Sequence, residues 1–221
     1  MTGIREYVDK GLGLLFPENL YCICCGNYID KTRTYSLCDY CMDHMRWNIS
    51  EPEERSGMTF LKCLDYGIFE RSIIFDLKYN GKKYMARNIA EIMRDRLDIA
   101  EIKPDLLVPV PLNKGKEKER GFNQANLIAK HLARLIEAEN LPDVLIRTRY
   151  TRPMRGLGPE ERAENIKGSI AFNEKYDKIA KGKSILLIDD FYTTGSTALE
   201  CRKALEPAQA KKIIFIAFAA R

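Results

Sequence analysis

Short apolar runs alternate with amphipathic segments along the second half of the chain. The apolar runs have the length of buried strands, and the segments between them repeat apolar residues at helical spacing. The predicted strands lie within residues 104–111, 145–146, 185–188 and 213–219, and the predicted helices lie at 122–136, 159–165 and 198–205. Strands that alternate with helices favour an α/β fold, with a largely parallel sheet flanked by helices.

The first half of the chain has a different pattern. Near the N-terminus, apolar residues recur at helical spacing with charged residues between them, which predicts a short amphipathic helix. These apolar residues are Ile4, Val8, Leu12 and Leu15. Further along, the pattern predicts a strand at 59–64 and helices at 66–79 and 83–97.

Composition and charge narrow the class of protein. At 221 residues, with 45% hydrophobic and 30% charged residues, the chain fits one ordinary soluble domain plus a small appendage. The net charge of +5 suits phosphorylated ligands or nucleic acid but requires neither. No apolar run approaches the roughly 20 residues that span a bilayer, and the N-terminus lacks the features of a signal peptide. We therefore expect a cytoplasmic protein that is not an integral membrane protein.

Four of the seven cysteines form two closely spaced pairs, each with two residues between its members. An odd number of cysteines in a reducing compartment indicates metal binding or buried thiols rather than disulfides. Four thiolates arranged tetrahedrally form a closed structural zinc site, which stabilises a segment too small to have its own core. The predicted ligands are Cys22, Cys25, Cys38 and Cys41. Cys24 or His44 can replace one of them, and the alternative is four reduced thiols without a metal.

The most informative stretch of the chain covers residues 185–197. Four apolar residues lead into Asp189 and Asp190, and a loop of hydroxyl side chains with one glycine then leads into a predicted helix. Backbone N–H groups, hydroxyls and the helix dipole at such a turn suit a phosphate, and Gly195 lets the backbone approach it. The residues of this predicted phosphate site are Thr193, Thr194, Gly195, Ser196 and Thr197. Because the two acids can hold sugar hydroxyls or a Mg²⁺ shell, the stretch predicts a site for a phosphorylated ribose; the alternative is an ordinary strand, turn and capped helix.

Residues 185–197 resemble the motif with which type I phosphoribosyltransferases bind 5-phosphoribosyl 1-diphosphate (PRPP). Nearly the whole chain is similar to the ComF family of competence-associated phosphoribosyltransferase-like proteins. The matching features are the cysteine pairs, the stretches 77–81, 109–112, 120–124 and 147–149, and Glu161, Arg162 and Asn165. Two positions depart from the family pattern, which usually has a glutamine where Met154 stands and often a histidine where Asn113 stands.

The resemblance implies a type I phosphoribosyltransferase-like fold and a division of the chain. Residues 1–50 would form the N-terminal helix and zinc-binding module, and residues 51–104 a helical and hairpin connecting region that can supply a hood. Residues 105–221 would form the phosphoribosyltransferase-like domain. Within it, a pyrophosphate-binding loop at 111–114 and a mobile catalytic loop at 148–157 are expected, the latter closing over the site to exclude water.

The implied chemistry is Mg²⁺-dependent transfer of the 5-phosphoribosyl group from PRPP to an unidentified acceptor, associated with natural competence. The cofactors would be structural zinc and Mg²⁺ bound with PRPP. The implied catalytic residues are Asp189, Asp190, Arg149 and Arg152. Lys114, Arg149 and Arg152 are assigned to the pyrophosphate of PRPP, and the alternative for each is a solvated surface charge. Lys116, Lys118 and Arg120 alternate with glutamates and are interpreted as a solvated face.

The alternative function is a non-catalytic one. The chain would then be a PRPP sensor, or a scaffold that binds single-stranded DNA and works with DNA-uptake proteins. The basic loop around Tyr150 suits a nucleic acid strand through phosphate contacts and stacking, and it suits pyrophosphate equally well.

Overall fold

The structure is a computed structural model that describes residues 20–152 and 156–221. Its helices are α1 (Asp39–His44), α2 (Ile68–Tyr79), α3 (Met85–Ile99), α4 (Lys114–Arg120), α5 (Gln124–Leu135), α6 (Pro159–Ile166), α7 (Asp177–Ala180) and α8 (Ser196–Ala204). Among these helices, none combines the length and the apolar character needed to cross a membrane. The amphipathic helix predicted through Ile4 and Leu15, and Met154 of the predicted catalytic loop, lie outside the described residues.

The described residues form eight strands, which are β1 (Glu53–Arg55), β2 (Met58–Asp65), β3 (Leu106–Pro109), β4 (Glu139–Asn140), β5 (Leu145–Arg147), β6 (Ile170–Phe172), β7 (Ser184–Tyr192) and β8 (Lys212–Ala220). Six of them form one central sheet in the order β1-β2-β8-β7-β3-β4. Strands β2, β8, β7, β3 and β4 pair in parallel, and β1 pairs antiparallel with β2 at one edge. The predicted α/β fold with a largely parallel sheet is therefore confirmed.

Two buried clusters cover opposite faces of the sheet. Successive side chains of a strand point to opposite faces, so Leu186 and Ile188 of β7 pack in one cluster and Ile185 and Leu187 in the other. The first cluster contains the apolar faces of α2, α3 and α5, and the second contains that of α8. Strand β7 therefore ends between two layers of helices, which can each supply side chains to its last residues.

Residues 114–120 form helix α4, where the sequence indicates only a basic segment. The side-chain oxygen of Asn113 accepts a hydrogen bond from the N–H of Gly115 at 2.9 Å, which caps the helix start. Gly121, with φ of 80°, ends it in a left-handed turn. The helix buries none of its residues, so it has no apolar periodicity from which to predict it.

Two predicted strands have partners that the sequence does not reveal. The strand predicted at 145–146 exists as β5, but it pairs antiparallel with β6 in a separate two-stranded sheet. The strand predicted at 59–64 exists as β2 and pairs in parallel with β8 in the central sheet. The region 51–104 therefore contributes a strand to the same sheet as β7.

Candidate functional site

Strand β7 carries both acids of the predicted ribose site. It continues to Tyr192, beyond the predicted end at residue 188, so Asp189 and Asp190 lie within the strand. Asp190 faces α2 and α5, where it contacts side chains of both helices. Asp189 faces the other side and lines a small cavity over the loop that follows β7. Adjacent in sequence, the two acids therefore meet different surroundings.

Asp190 is almost fully buried and is paired with a cation. Its carboxylate forms an ion pair with the ammonium of Lys78 and accepts a hydrogen bond from Nε2 of Gln124 at 2.9 Å. Gln124 in turn accepts a hydrogen bond from Arg120. Burial alone raises the pKa of Asp190, but Lys78 and Gln124 outweigh burial and hold the pKa below its usual value. Asp190 is therefore ionised at neutral pH.

Asp189 is the partly exposed member of the pair. One of its carboxylate oxygens accepts a hydrogen bond from the backbone N–H of Asp190 at 2.9 Å. Its burial, and next the charge of Asp190, raise the pKa of Asp189 well above the usual value, although Lys78 opposes the shift. The pKa values of the two neighbouring carboxyls are thus shifted in opposite directions. Asp189 is the one that a ligand in the cavity can reach.

Neutralising the two acids one at a time is expected to change stability in opposite directions. Because the folded pKa of Asp189 exceeds its unfolded value of about 3.9, the ionised side chain destabilises the fold once the pH rises through the folded pKa. Asp189→Asn should therefore raise the free energy of unfolding by about 1 kcal/mol at about pH 8, a gain that shrinks toward zero at about pH 4. Asp190→Asn leaves Lys78 without its anion and should cost roughly 3 kcal/mol at about pH 8.

Thermal unfolding of both variants at the two pH values measures these effects. The folded pKa of Asp190 is lower than its unfolded value. The contribution of ionised Asp190 to the free energy of unfolding is therefore present above pH ~4, and it is lost as the pH falls through the folded pKa. Destabilisation by both substitutions at the higher pH would contradict the division of charge between the two acids.

Lys78 and Gln124 have no role in the interpretation of the sequence, because they meet Asp190 only in the folded chain. Gln124 is separated from Asp190 by 66 positions. Both residues lie in the stretches 77–81 and 120–124, which carry the family resemblance. That resemblance is the one signal that points to them.

The loop after β7 turns sharply into helix α8. Gly195 has φ of 78°, a left-handed conformation that favours glycine. A Cβ at this position would lie 2.9 Å from Cζ of the Tyr192 ring. Glycine is thus required here by the turn and by the tyrosine packed against it, as well as by any close approach of a ligand.

The small cavity over this loop brings together the predicted phosphate-binding residues, one acid and one cation. Its lining residues are Arg162, Asp189, Phe191, Tyr192, Thr193, Thr194, Gly195, Ser196, Thr197, Ala198 and Phe215. Arg162, to which the sequence assigns no role, is held by a hydrogen bond from its Nε to the carbonyl oxygen of Leu157 at 2.9 Å. The start of a nine-residue helix together with a guanidinium group makes a site suited to an anion.

The three cations assigned to pyrophosphate have other surroundings in the structure. Lys114 is exposed in the first turn of α4. The guanidinium of Arg149 donates to the carbonyl oxygens of Asn165 at 3.2 Å and Lys167 at 2.6 Å, at the end of α6. The backbone N–H of Arg152 donates to Oδ1 of Asn165 at 3.0 Å. Among the described residues that line the cavity, none of these three cations is found.

Arg147 is a largely buried cation on the Asp189 side of the sheet. Its Nε donates to the carbonyl oxygen of Pro111 at 3.1 Å, and its Nη1 donates to Oγ of Ser169 at 3.0 Å. Burial lowers the pKa of Arg147, and the charge of Asp189 is among the influences that oppose this. Arg147 therefore ties the predicted pyrophosphate loop to strand β5 and places positive charge near Asp189.

Lys116 is half-buried, so the interpretation of residues 116–120 as a solvated face is wrong for this residue. Burial lowers the pKa of Lys116, and the nearby charges of Arg120, Arg147 and Lys78 lower it further. A lysine held among three other cations is well placed to meet an anion. Helix α4 is the reason, because its turn brings Lys116 inward while Lys114 stays exposed.

The four cysteines of the two pairs come together in the structure. The Sγ atoms of Cys22, Cys25, Cys38 and Cys41 all lie within 4.8 Å of one another. Cys22 and Cys41 are buried and Cys25 is exposed. The backbone N–H of Cys41 donates to Sγ of Cys38 at 3.5 Å, so Cys38 also caps helix α1. Four sulfur donors so close together can hold a metal such as zinc.

The two alternative ligands have other partners. Sγ of Cys24 donates to the carbonyl oxygen of Phe69 at 3.8 Å. Nδ1 of His44 lies 2.8 Å from the carbonyl oxygen of Tyr40, and the two rings are stacked.

Burial raises the pKa of Cys22, but N–H groups of neighbouring residues outweigh burial and lower the pKa to about 7. A thiol with that pKa is readily available as the thiolate that binds a metal.

Helix α2 contacts both the cysteine group and the acids of β7. Near its start, Oγ of Ser72 donates to the carbonyl oxygen of Cys24 at 3.4 Å, and Phe69 accepts the hydrogen bond from the Cys24 thiol. Near its end, Lys78 pairs with Asp190. One helix of twelve residues therefore attaches both candidate sites to each other.

Comparison with known proteins gives a consistent assignment. The family model for the phosphoribosyl transferase domain matches residues 78–221. Competence protein ComFC of Bacillus subtilis is 36% identical over 222 residues, covering 95% of this chain and 88% of that protein. Competence protein F of Haemophilus influenzae is 29% identical over 199 residues and covers 86% of each chain.

Among solved structures, adenine phosphoribosyltransferase from Leishmania tarentolae is 14% identical, covering 87% of this chain and 90% of that one, with a TM-score of 0.41. The family assignment depends on the sequences rather than on this likeness. The domain match covers most of the chain, and the relative from B. subtilis is similar along nearly its whole length. The chain therefore belongs to the ComF family of competence-associated proteins with a phosphoribosyltransferase domain.

Proposed function

We propose that this protein binds PRPP together with Mg²⁺ and transfers the 5-phosphoribosyl group to a nitrogenous acceptor, in the cytoplasm and as part of DNA uptake. The observation that carries the proposal is the pair of unlike acids at the end of β7. Asp190 is buried against Lys78, and Asp189 opens onto the cavity over the loop. The names of the two competence proteins support the link to DNA uptake.

The loop and the two acids would divide the ligand between them. The 5-phosphate would accept hydrogen bonds from backbone N–H groups at the start of α8 and from Oγ1 of Thr194 and Oγ of Ser196, which lie 2.9 Å apart. Asp189 would accept hydrogen bonds from the ribose hydroxyls, because it is the acid that lines the cavity. Asp190 is only 1% exposed and already has its own partners, so it would act as a positioning residue.

The reaction requires mainly that the reactants be positioned correctly and that positive charge lie near the leaving pyrophosphate. The bond between C1 of the ribose and the pyrophosphate oxygen breaks, and its electron pair leaves with pyrophosphate. The acceptor nitrogen then donates its electron pair to C1, and the proton that this nitrogen loses passes to the released pyrophosphate. Lys116 and Arg147 lie where they can stabilise the developing negative charge, with Arg149 and Arg152 joining them if their loop closes. A Mg²⁺ ion bound with PRPP would supply further charge neutralisation at the leaving group.

The four cysteines would hold a structural Zn²⁺ ion. Four thiolates leave no open coordination position, so this metal would stabilise the fold rather than take part in the transfer. A reducing cytoplasm supports this role, because thiols there stay available as ligands.

A second candidate is a non-catalytic protein, either a PRPP sensor or a scaffold for single-stranded DNA among DNA-uptake proteins. One observation favours it. Arg149 and the backbone of Arg152 are bonded to the end of α6, although both residues are expected at pyrophosphate. Ionic strength separates the two ligands, because strand binding through several phosphates weakens steeply with salt and PRPP binding less so.

Release of pyrophosphate tests turnover. Purified, zinc-loaded protein is incubated with PRPP and Mg²⁺ and with a panel of nitrogenous bases, and pyrophosphate is measured with and without each base. Acceleration by at least one base is the expected result. PRPP binding without release for any acceptor would favour the second candidate, and a folded chain that does not bind PRPP would overturn the enzyme proposal.

A further inference from the structure

A large cavity lies beside the loop that follows β7, and the proposed function assigns no ligand to it. We call it the hairpin cavity, because residues of the β1–β2 hairpin, of α6 and of α8 line it. Its volume is about 670 Å³. Binding sites for small molecules usually have volumes of roughly 300–1,000 Å³. The size of the hairpin cavity therefore suits a small molecule.

Aromatic side chains form the floor of the hairpin cavity. Phe60 of β2 and Tyr192 of β7 line it, and their ring centroids are 4.3 Å apart with an interplanar angle of 49°. Both residues are nearly buried, at 6% and 7% exposure, so the fold holds the two rings in place. Met58, Ile166 and Ala198 add further apolar surface. Such a floor suits the flat face of an aromatic ligand.

The charged groups of the hairpin cavity differ in depth. Among the charged side chains that line it in the described part of the chain, Glu200 of α8 is the buried one, at 8% exposure. The backbone N–H of Gly168 donates a hydrogen bond to its Oε1, which orients the carboxylate. The exposed charged residues that line the cavity are Arg55, Glu160, Glu164, Lys167 and Lys203. A ligand therefore meets a buried hydrogen-bond acceptor, and it meets charges of both signs only at exposed positions.

We propose that the hairpin cavity binds a planar nitrogenous base, free or as its nucleoside, as a regulatory ligand. The ring of the base would pack on Phe60 and Tyr192, and N–H groups at its edge would donate to the carboxylate of Glu200. A base suits both parts of the cavity, because its faces pack on aromatic side chains and its edge carries hydrogen-bond donors. An anionic group at the same depth is disfavoured, because its charge would lie beside the buried carboxylate.

Tyr192 connects the hairpin cavity to the phosphate-binding loop. Its ring lies so close to Gly195 that a Cβ there would be 2.9 Å from Cζ, and its hydroxyl accepts a hydrogen bond from Nη1 of Arg55 at 3.2 Å. Thr194 and Ser196 line this cavity as well as the small one. A base packed on Tyr192 would hold the ring, and with it the loop, in the position described. We therefore expect the base to raise the affinity for PRPP, and this part of the inference rests on the proposed function.

The position of the hairpin cavity separates its ligand from the acceptor of the proposed transfer. The cavity adjoins Thr194 and Ser196, which are proposed to bind the 5-phosphate. The acceptor attacks C1, which lies across the ribose ring from the carbon that carries this phosphate. Asp189, proposed for the ribose hydroxyls, lines the small cavity instead. We therefore expect the ligand of the hairpin cavity to bind without being consumed.

Calorimetric titration of guanosine into the full-length, zinc-loaded chain without PRPP tests the site. Guanosine presents two adjacent N–H donors to a carboxylate, and its N9 is bonded to ribose, so it cannot accept a phosphoribosyl group at that nitrogen. Glu200→Gln keeps an acceptor for Gly168 but removes the charge, and it should weaken binding about tenfold to a hundredfold. The matched control is Glu139→Gln, an exposed carboxylate on β4 at the opposite edge of the sheet; it should stay within about twofold of wild type.

A second pair of variants tests the cavity without changing Glu200. Ala163 lies on α6, lines the hairpin cavity and is exposed, so Ala163→Leu occupies space there and leaves the core unchanged. This variant should weaken guanosine binding by about tenfold or more. Ala163→Ser adds a single oxygen atom and should bind guanosine within about twofold of wild type. These variants keep the proposal testable if Glu200→Gln fails to fold.

Titration of PRPP with Mg²⁺, with and without saturating guanosine, measures the coupling. PRPP should bind about fivefold to tenfold more tightly in the presence of the nucleoside, which lies within the usual range for coupled sites. Guanosine should in turn bind more tightly by the same factor when PRPP is present, because coupling between two sites is reciprocal.

Three results would overturn the proposal. The first is a wild-type chain that shows no binding of guanosine at about 1 mM. The second is wild-type affinity for guanosine in both Glu200→Gln and Ala163→Leu. The third is guanosine that leaves PRPP binding unchanged or weakens it, which would remove the regulatory role. Guanosine binding that depends on Glu200 in a chain that does not bind PRPP would support the site and overturn only the proposed transfer.

Discussion

Replacing both acids of β7, Asp189→Asn with Asp190→Asn, is expected to abolish binding of PRPP with Mg²⁺. Asp189 loses the negative charge that accepts hydrogen bonds from the ribose hydroxyls, and each such bond to a charged group is worth about 1.5–3 kcal/mol. Asp190 loses its ion pair with Lys78, which holds the end of the strand in place. Together these losses correspond to a decrease in affinity of about a hundredfold or more.

Calorimetric titration of PRPP in the presence of Mg²⁺ measures this loss. A matched control is Asp105→Asn, because Asp105 accepts a hydrogen bond from the N–H of Ser184 at the opposite end of the same strand. This control should bind PRPP as wild type does. Since the double variant is also expected to be less stable, its unfolding temperature and zinc content are recorded beside the titration. A folded double variant that still binds PRPP with wild-type affinity would refute the assignment of this site.

Removal of the metal is expected to unfold the cysteine module and to weaken PRPP binding with it. Structural zinc contributes about 10–16 kcal/mol of apparent binding free energy in small modules, which have little core of their own. Cys38→Ser removes a ligand, whereas the serine hydroxyl can still cap the start of helix α1. We expect the purified variant to lose its zinc and to unfold at least about 10 °C below wild type, since each 1 kcal/mol shifts the midpoint by about 2–4 °C at this chain length.

The matched control for the metal is Cys24→Ala. Cys24 lies between two predicted ligands, but its thiol donates to Phe69, so this variant should keep one zinc per chain. Zinc is counted by release with a thiol-blocking reagent and a colorimetric chelator. Two results would contradict the ligand set. The first is wild-type protein that contains no zinc although it was purified under reducing conditions. The second is a Cys24→Ala variant that loses zinc while Cys25→Ala keeps it.

Weaker PRPP binding after zinc loss follows from helix α2. The helix is held at its start by Ser72 and Phe69 against Cys24 and carries Lys78 at its end. An unfolded module frees the start of the helix and lets Lys78 move away from Asp190. In a Lys78→Met variant, removal of zinc should therefore no longer change the affinity for PRPP, although it should still lower the unfolding temperature.

Local features of this site could be predicted from sequence, and long-range ones could not. The apolar run of β7, the glycine of the turn and the spacing of the cysteines are each encoded within about twenty residues, so pattern alone predicts them. The ion pair of Lys78 with Asp190 and the packing of β2 against β8 join distant parts of the chain. Their partners depend on how the layers stack, which periodicity does not specify.

Helix α4 and Lys116 show a second kind of limit. Six charged residues and one glycine without an apolar stripe are typical of a solvated segment, yet residues 114–120 form a helix that is capped by Asn113. The helix then sets which of its lysines turns inward. The sequence interpretation assigns the pyrophosphate contact to Lys114 and a solvated face to Lys116, whereas in the structure Lys116 is half-buried and Lys114 is exposed.

The separation of Asp189 and Asp190 on opposite faces of β7 restricts how this protein can change during evolution. Because side chains alternate along a strand, inserting or deleting one residue between Ser184 and Asp189 would move each acid to the opposite face of the sheet. A deletion would bring Asp190 to the cavity and bury Asp189 in the place of Ile188, away from Lys78, whereas an insertion would bring Asp189 into the place beside Lys78 and leave no acid at its own. Related chains should therefore vary in length before β7 or after α8 begins, and insertions within the strand should be eliminated even where the apolar core would accept them.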